Sequence, residues 1–376
     1  MTLTAKLLAE LIALPSVNTA FLPPRHPHAG EGRVAEYLAA LGAKAGLDIE
    51  FQKVLPSRPN VLARLRPAEK VRHTILLAPH LDTVNVASEQ QFSPRTKGGR
   101  MYGRGACDTK GSVATFFTAL CDLAKAGSRP RETEIIFVGL VDEEQGQGGS
   151  RFLAGTKFKA DLAIVGEPTN LAVATAHKGS VWLHLETRGR AAHGATPWHG
   201  KNAVHEMARV VQALETDFAA RLRKRGHPLL GPGSVSVGTI CGGTQANIVP
   251  DQCAITVDRR TLPGESETGT RREVAAFLRS RKLDAKVSNV KSKPCHPLET
   301  DARLPLVRQF LRSAGQRRPA GLHYFCDAAV LGQGGIPSVV FGPGDIAQAH
   351  TADEWIELAQ LERGRNLLLA FLKSLP

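Results

Sequence analysis

Short apolar runs, each followed by a polar motif, are the feature that most constrains the fold of this chain. The runs are Thr74–Ala78, Ile135–Val141 and Leu162–Val165, and a helical stretch from Ser112 to Ala126 lies between the first two. Continuous apolar runs of strand length that alternate with helical sequence indicate a parallel sheet covered on both faces. In open α/β sheets, ligands bind where the strands end. We therefore expect the functional residues in the polar motifs.

The sequence pattern changes near residue 177 and returns to the first kind near residue 291. In between, one strand-like stretch, an amphipathic helix, two more strand-like stretches and a second helix follow one another, at residues 180–187, 204–218, 233–240, 252–258 and 271–280. This order is typical of a compact α+β insert. We predict one discontinuous α/β domain, residues 1–176 and 291–376, interrupted by a smaller domain at residues 177–290.

Charge and cysteine usage exclude several classes of protein. The 48 Lys and Arg against 35 Asp and Glu leave a net charge of +13, which suits anionic partners without locating a site. The basic stretch at residues 221–227 is expected to end a helix, where cations complement the helix dipole, so we expect no nucleic-acid partner. The six Cys include no Cys-x-x-Cys pair, which disfavours a zinc ribbon or a disulfide framework. No apolar run reaches membrane-spanning length. We expect a soluble cytoplasmic protein with no membrane partner.

Two histidines and several acids follow the predicted strands or precede the predicted helix. They are His80, Asp82, Asp108, Glu143, Glu144, Glu167 and His350. Any single acid here could merely cap a helix, but five such placements favour convergence on one sheet edge. Consecutive acids at 142–144 would repel one another unless a cation offset their charge.

Two histidines and three carboxylates suit a site for two divalent metal ions. Zn²⁺ is the first choice for this ligand set, and Co²⁺ and Mn²⁺ are also suitable. A carboxylate can bridge two ions, and such a site can polarise a carbonyl and supply hydroxide at neutral pH. Asp82 lies two residues after His80, from where it can reach the second ring nitrogen and orient the imidazole.

Five motifs occur in the order HLDTV, YGRGACDTKG, VDEEQGQGGS, VGEPT and QAHTADE. Together they resemble the peptidase family M20 of metal-dependent amidohydrolases, and the resemblance covers nearly the whole chain. It implies an α/β fold in which a parallel-sheet, di-metal catalytic domain is interrupted by a smaller α+β domain that serves as lid and dimerisation domain.

The resemblance also implies how the metal ligands divide between the two ions. It places His80 and Glu167 on one ion. It places Glu144 and His350 on the other, and Asp108 bridges the two.

Two neighbouring acids have other implied roles. Asp82 would orient His80. Glu143 would be the general base that takes a proton from the attacking water and passes it to the leaving nitrogen.

Three residues of the insert match lid segments of the family. His193 lies in a glycine-flanked segment and is implied to be catalytic, while Asn247 and Arg259 are implied to contact substrate. Each also has a purely structural alternative. His193 could cap a strand, Asn247 could stabilise a turn, and Arg259 could pair with Asp258 or Glu265. The resemblance implies a homodimer through the lid domain, with His193 entering the active site of the partner subunit.

The segment at residues 341–354 and the Phe-Cys-Asp stretch at 325–327 resemble the acetylornithine deacetylase-like members. We therefore expect hydrolysis of an N-acyl amino acid, with N-acetylornithine as the leading substrate and N-succinyl-diaminopimelate second. A dipeptidase or a carboxypeptidase G-like enzyme is a rival of the same chemistry. A non-catalytic binding protein on this scaffold is disfavoured, because every implied ligand and Glu143 are present.

Overall fold

The computed structural model describes residues 1–125, 129–290 and 293–376. Within these ranges the α-helices are α1 (Leu3–Ile12), α2 (Gly32–Lys44), α3 (Lys110–Lys125), α4 (Gly148–Gly155), α5 (Ala203–Ala213), α6 (Ala219–Arg223), α7 (Glu267–Ser280), α8 (Pro305–Ser313), α9 (Asp327–Gln333) and α10 (Leu358–Lys373). The strands are β1 (Asp48–Leu55), β2 (Arg58–Leu65), β3 (His73–Pro79), β4 (Arg95–Lys97), β5 (Arg100–Tyr102), β6 (Thr133–Gly139), β7 (Leu162–Gly166), β8 (Ala174–His177), β9 (Gly179–Arg188), β10 (Gly226–His227), β11 (Gly231–Pro232), β12 (Ser234–Gly242), β13 (Gln252–Thr261), β14 (Lys286–Asn289), β15 (Leu298–Glu299), β16 (Ala320–Leu322), β17 (Ser338–Phe341) and β18 (Trp355–Glu357).

The three apolar runs form neighbouring strands of one sheet. From the edge strand β1 the order runs β1-β2-β6-β3-β7-β17-β8, with β6, β3, β7 and β17 parallel and with β1, β2 and β8 antiparallel to their neighbours. Ile75 and Leu77 join a core built with α1, α2, α3, α8 and α10. Leu76, which points to the opposite face, is equally buried. The predicted α/β fold with a mostly parallel sheet is confirmed.

The described residues form two compact units. The first comprises residues 1–175, 300–320 and 326–376, and the second comprises 176–299 and 321–325. The sequence predicts the first boundary at 176/177, one residue later than in the structure. It predicts the second at 290/291, nine residues before the boundary at 299/300 in the structure. Residue 291 lies outside the described residues, as does residue 126 at the predicted end of α3. The sequence does not predict that residues 321–325 belong to the second unit.

The second unit is an antiparallel sheet packed against helices. The strand order is β12-β13-β9-β14, and α5 and α7 contribute to a buried core with the inner faces of β9 and β13. A π-helical turn at residues 214–218 joins α5 to α6 without breaking the apolar face. β12 is an edge strand, and its Ile240 is 59% exposed.

No helix in the described ranges combines the length and the apolarity that crossing a bilayer requires.

Candidate active site in the first unit

Strand ends position the first histidine and one of the acids. β3 ends at Pro79 and is followed by His80, and β7 ends at Gly166 and is followed by Glu167. Pro79 and Gly166 are partners in the parallel ladder, so both side chains leave the sheet at the same edge. The local sequence explains this placement, because each strand is an apolar run that stops at the polar motif.

Asp108 lies between the two imidazoles. Its Oδ1 is 3.1 Å from Nε2 of His80, and its Oδ2 is 3.2 Å from Nε2 of His350. Glu144 Oε2 is 3.1 Å from Nε2 of His350, and Glu167 Oε1 is 3.8 Å from Nε2 of His80. The structure thus brings all five predicted ligands together, with Asp108 in the centre. Their division between two ions stays a prediction.

The electrostatics of this cluster favour a bound cation. Burial raises the pKa of Glu167 well above its ordinary value, and burial together with the charge of Asp108 raises the pKa of Glu144 to about 7. Hydrogen bonds to Asp108 and Glu144 raise the pKa of His350 to about 10. Crowded carboxylates of this kind are stabilised in their charged form by a neighbouring cation.

Asp82 holds both the first histidine and the loop that carries the two glutamates. Its backbone carbonyl is 3.0 Å and its Oδ1 is 3.4 Å from Nδ1 of His80. The same carboxylate accepts the backbone N–H groups of Glu143 at 3.0 Å and Glu144 at 3.1 Å. The side-chain amide of Asn18 donates a further bond at 2.7 Å. Burial opposes the ionisation of Asp82, but the bonds from His80 and Asn18 outweigh it and lower the pKa.

The Glu143 carboxylate is placed differently from its neighbour. Only its backbone N–H is engaged, and no described residue donates a hydrogen bond to its carboxylate oxygens. Burial raises its pKa well above the ordinary value, with the charge of His80 acting in the opposite direction. A carboxylate with free lone pairs and a raised pKa is suited to accepting and releasing a proton. The general-base role of Glu143 stays a prediction.

Glu354 organises the turn that carries the central aspartate, yet it is not among the residues that the sequence predicts. It is 1% exposed, and its carboxylate accepts a hydrogen bond from the side chain of Arg104 at 2.7 Å. It also accepts the backbone N–H groups of Gly105, Cys107 and Asp108 at 2.9, 2.8 and 2.9 Å. The available signal was an acid at the end of the QAHTADE motif.

A buried ion network behind the glutamate loop was also not predicted. The Arg58 guanidinium binds both carboxylate oxygens of Glu31, at 2.6 and 2.7 Å, and reaches Oδ1 of Asp142 at 3.2 Å. Glu31 in turn accepts the backbone N–H of Asp142 at 3.0 Å, and Asn18 links Asp142 to Asp82. This network places fixed charge directly behind the loop that bears the predicted base.

Asp327 is a further buried acid near the cluster. Its Oδ1 accepts the hydroxyl of Ser150 at 2.5 Å, while its Oδ2 has no hydrogen-bond partner among the described residues. Its charge contributes to the raised pKa of both Glu143 and Glu167. The Phe-Cys-Asp stretch was the sequence signal, but it indicated a subgroup and not a position in the site.

The predicted lid residues lie in the second unit. His193 is exposed, and its Nδ1 accepts the backbone N–H of Ala195 at 3.1 Å. The N–H of Gly194 donates to the carbonyl of Asn247 at 2.7 Å, so the segments bearing His193 and Asn247 are adjacent within this unit. Asn247 is exposed as well.

The two consecutive arginines of β13 point to opposite faces of their strand. Arg259 is fully buried, and its guanidinium binds both oxygens of Glu265 at 2.8 and 3.0 Å. Arg260 is partly exposed and pairs with Asp258 at 2.9 Å. The predicted substrate contact of Arg259 stays a prediction, and Arg260 is the more accessible of the two side chains.

Comparison with known proteins decides the family. A model of peptidase family M20/M25/M40 matches residues 76–374. An acetylornithine deacetylase of Myxococcus xanthus is 30% identical over 373 residues, which span 96% of this chain and 95% of that protein. The chain belongs to peptidase family M20/M25/M40. The resemblance predicted from the five motifs is therefore confirmed.

Solved M20 structures share the fold. Aminopeptidase PepT of Bacillus cereus superposes with a TM-score of 0.78 at 21% identity, covering 99% of this chain and 97% of that one. A dinuclear metal-binding M20 peptidase of Bacillus subtilis gives a TM-score of 0.71 at 13% identity, covering 98% of this chain and 96% of that one. At these identities the likeness concerns the fold alone.

The residues of this M20 chain fit a divalent metal ion. His80, Asp108 and Glu144 each offer a ligand atom, and these atoms lie within 4.8 Å of one another. Within the part of the chain that the structure describes, Oε1 of Glu144 is buried without a hydrogen-bond partner. An unpaired buried carboxylate oxygen is costly unless a cation or a donor engages it. Imidazole and carboxylate are ligands of Zn²⁺ and of similar ions.

Proposed function

We propose that this chain hydrolyses the N-acyl amide bond of an amino-acid-like substrate, with N-acetylornithine as the leading candidate and N-succinyl-diaminopimelate second. The cluster of two imidazoles and three carboxylates around Asp108 carries the proposal of metal-dependent hydrolysis. The choice of substrate is supported by the similarity to an acetylornithine deacetylase over 96% of the chain. Within that similarity, the segment at residues 341–354 resembles the acetylornithine deacetylase-like members.

The proposed cofactor is a pair of divalent ions, with Zn²⁺ first and Co²⁺ or Mn²⁺ as alternatives. His80 and Glu167 would hold one ion, and Glu144 and His350 the other, with Asp108 shared. Ions held in this way polarise a carbonyl oxygen and lower the pKa of a bound water.

The protein side chains would then manage the protons. Glu143 would take the proton of the attacking water and deliver it to the leaving nitrogen, because its carboxylate accepts no hydrogen bond from the described residues. Asp82 would keep both His80 and the backbone of Glu143 in place through the contacts given above. The Arg58–Glu31 pair would support the same loop from behind through Asp142.

The second unit would supply substrate contacts. We propose that Asn247 binds substrate and that His193 donates a hydrogen bond to the oxyanion of the tetrahedral intermediate. For the substrate carboxylate, Arg259 is the prediction from the sequence, but its guanidinium is engaged by Glu265. Arg260 is the accessible alternative, and a bidentate bond from either arginine suits a carboxylate. Separate Gln substitutions distinguish them, because loss of the true contact raises KM for the carboxylate-bearing substrate.

We also propose a homodimer formed through the second unit. The outer edge of β12 carries no ladder partner among the described strands, and Ile240 on it is 59% exposed. Trp198 is 71% exposed in the same unit. Exposed strand edges and large apolar side chains are common at association surfaces.

A substrate panel tests the proposed function. The metal-loaded protein is assayed with N-acetylornithine, N-succinyl-diaminopimelate, N-acyl glutamates and dipeptides, and the kcat/KM values are compared. We expect the highest value for N-acetylornithine. A higher value for dipeptides would favour the peptidase alternative, and no turnover of any amide by protein with full metal content would favour the non-catalytic one.

A further inference from the structure

A cavity of about 300 Å³ lies among α1, α2 and α3 of the first unit, and no function has been assigned to it above. Much of its wall is apolar. Leu7 and Phe117 are core residues of this unit, and the partly buried Leu41 packs against the same core. The volume lies at the lower end of the range of small-molecule sites, about 300–1,000 Å³.

Each of the three helices contributes one lysine to the cavity. They are Lys6, Lys44 and Lys125, and all three are exposed. Across the described ranges, no carboxylate lies within salt-bridge distance of any of them. Lys44 and Lys125 end their helices, where a cation complements the helix dipole, but Lys6 lies inside α1 and has no such role. An anion bound among the three would be attracted by every one of them.

Two carboxylates line the same cavity, but other groups engage them. Glu10 lies one helical turn from the lysine of α1, and its Oε2 accepts a hydrogen bond from the hydroxyl of Tyr37 at 2.6 Å. Asp122 lies one turn before the lysine of α3, and its Oδ2 accepts a hydrogen bond from Nε of Arg365 at 2.9 Å. The charge of Asp122 is thus balanced by Arg365, and the three lysines outnumber the one remaining acid.

We propose that this cavity binds a small amphipathic anion, whose charged head contacts Lys6, Lys44 and Lys125 and whose apolar body lies against Leu7 and Phe117. The lysines suit a carboxylate or another anionic head. Burial of a short alkyl or aryl chain against the apolar wall supplies the rest of the binding free energy. A neutral apolar molecule gains only the second contribution, and a small hydrophilic anion gains only the first.

The cavity is separate from the proposed hydrolytic site. Asp108 lies just before the first residue of α3, whereas the cavity residues on this helix run from Phe117 to Lys125. At a rise of about 1.5 Å per residue, Cys121 in the middle of that stretch lies about 16 Å along the axis from the start of α3. The proposal therefore does not depend on the proposed function.

Calorimetric titration of the full-length, metal-loaded protein at constant ionic strength tests this proposal. The first probe is hexanoate. The second is 1-hexanol, which has the chain without the charge, and the third is acetate, which has the charge without the chain. We expect hexanoate to bind at least about tenfold more tightly than either of the other two.

A triple variant removes the charges of the cavity. The substitutions Lys6→Gln, Lys44→Gln and Lys125→Gln together should weaken hexanoate binding about tenfold, because one exposed ion pair contributes up to about fivefold and three act on the same anion. All three positions are exposed, so folding should be retained, and near-ultraviolet circular dichroism checks it.

A second triple variant is the matched control. It combines Lys53→Gln, Lys70→Gln and Lys97→Gln, which change the net charge by the same amount at three exposed lysines outside the cavity. Its affinity for hexanoate should stay within about twofold of the native value, because charges beyond a Debye length are largely screened.

Cysteine labelling locates the bound anion. Cys121 lines the cavity, and burial raises its pKa to about 11, so the rates of its slow alkylation by N-ethylmaleimide are compared. Cys241 is exposed in the second unit and serves as the internal control. Saturating hexanoate should slow the labelling of Cys121 and leave that of Cys241 unchanged. The proposal is overturned by absence of hexanoate binding, by equally tight binding of hexanol or acetate, by equal losses in the two triple variants, or by unprotected Cys121.

Discussion

Glu354→Gln is expected to disrupt the turn that carries Asp108. In the native protein, Oε2 of Glu354 accepts from Arg104 and from the N–H of Gly105, while Oε1 accepts from the N–H groups of Cys107 and Asp108. Glutamine keeps one oxygen acceptor but replaces the other with an NH₂ donor. It also removes the negative charge that faces Arg104.

The magnitude follows from these contacts. If the retained oxygen stays with Arg104, two buried N–H groups lose their acceptor, at about 1–3 kcal/mol each. Arg104 is 3% exposed and loses its charged partner, a change that costs about 3–5 kcal/mol in buried pairs. The two effects overlap, so we expect the free energy of unfolding of the metal-free protein to fall by about 4 kcal/mol. If the turn instead shifts to relieve the mismatch, Asp108 moves and metal affinity falls about 10- to 100-fold.

Two measurements on the same variant separate these outcomes. Urea unfolding of chelator-treated protein gives the loss of stability, and competition with a fluorescent chelator gives the metal affinity. Glu357→Gln is the control, because this acid is 46% exposed and lies 3.9 Å from Arg100, so its removal should change stability by less than about 1 kcal/mol. The reasoning is refuted if Glu354→Gln changes the free energy of unfolding by less than about 1 kcal/mol and the metal affinity by less than about twofold.

Four further experiments test other parts of the site and the fold. Glu143→Gln should keep full metal content and lose about 10²–10⁴-fold in kcat; near-native turnover would exclude it as the base. Asp108→Ala should lose bound metal in elemental analysis, and full occupancy would exclude the shared-ligand role. Mixing inactive Glu143→Ala and His193→Ala proteins under subunit exchange should restore about a quarter of the sites if His193 acts in the partner subunit, and unchanged activity after confirmed exchange would contradict this. Burial lowers the pKa of His177 to about 4 from 6.5, so the unfolded state binds the proton first as the pH falls. His177 should therefore contribute a loss of about 3 kcal/mol in stability between pH 6.5 and 4, and the difference between native protein and His177→Gln in urea titrations should change by that amount.

The apolar runs predicted the central sheet, because a strand that is buried on both faces needs apolar residues at consecutive positions. β3, β6 and β7 are such runs, and the final helix, expected near 357–373, is Leu358–Lys373. The same logic located the candidate ligands. A polar motif that follows a buried strand must lie at the edge of the sheet, and parallel neighbours share that edge.

The supporting residues could not be found in this way, because their partners are remote in the sequence. Glu354 bonds to a turn about 250 residues earlier, and Asn18 reaches Asp142 across 124 positions. Neither contact leaves a local pattern. Arg259 is different, because it shares its strand face with the buried Val257 and Thr261. That alternation indicates an inward side chain, and the structure agrees with the alternative in which Arg259 pairs with Glu265.

Asp82 and Glu354 solve the same structural problem for two different loops of the site. Each is a buried carboxylate whose oxygens accept backbone N–H groups from a loop that carries proposed metal ligands. Backbone donors stabilise the charged form of a carboxylate without any metal present. The two loops are therefore tied in place by the protein itself, and crowding of Asp108, Glu144 and Glu167 is imposed by the fold. Binding of a divalent cation would relieve that crowding. The crowding therefore lowers the stability of the metal-free protein and raises its affinity for the metal.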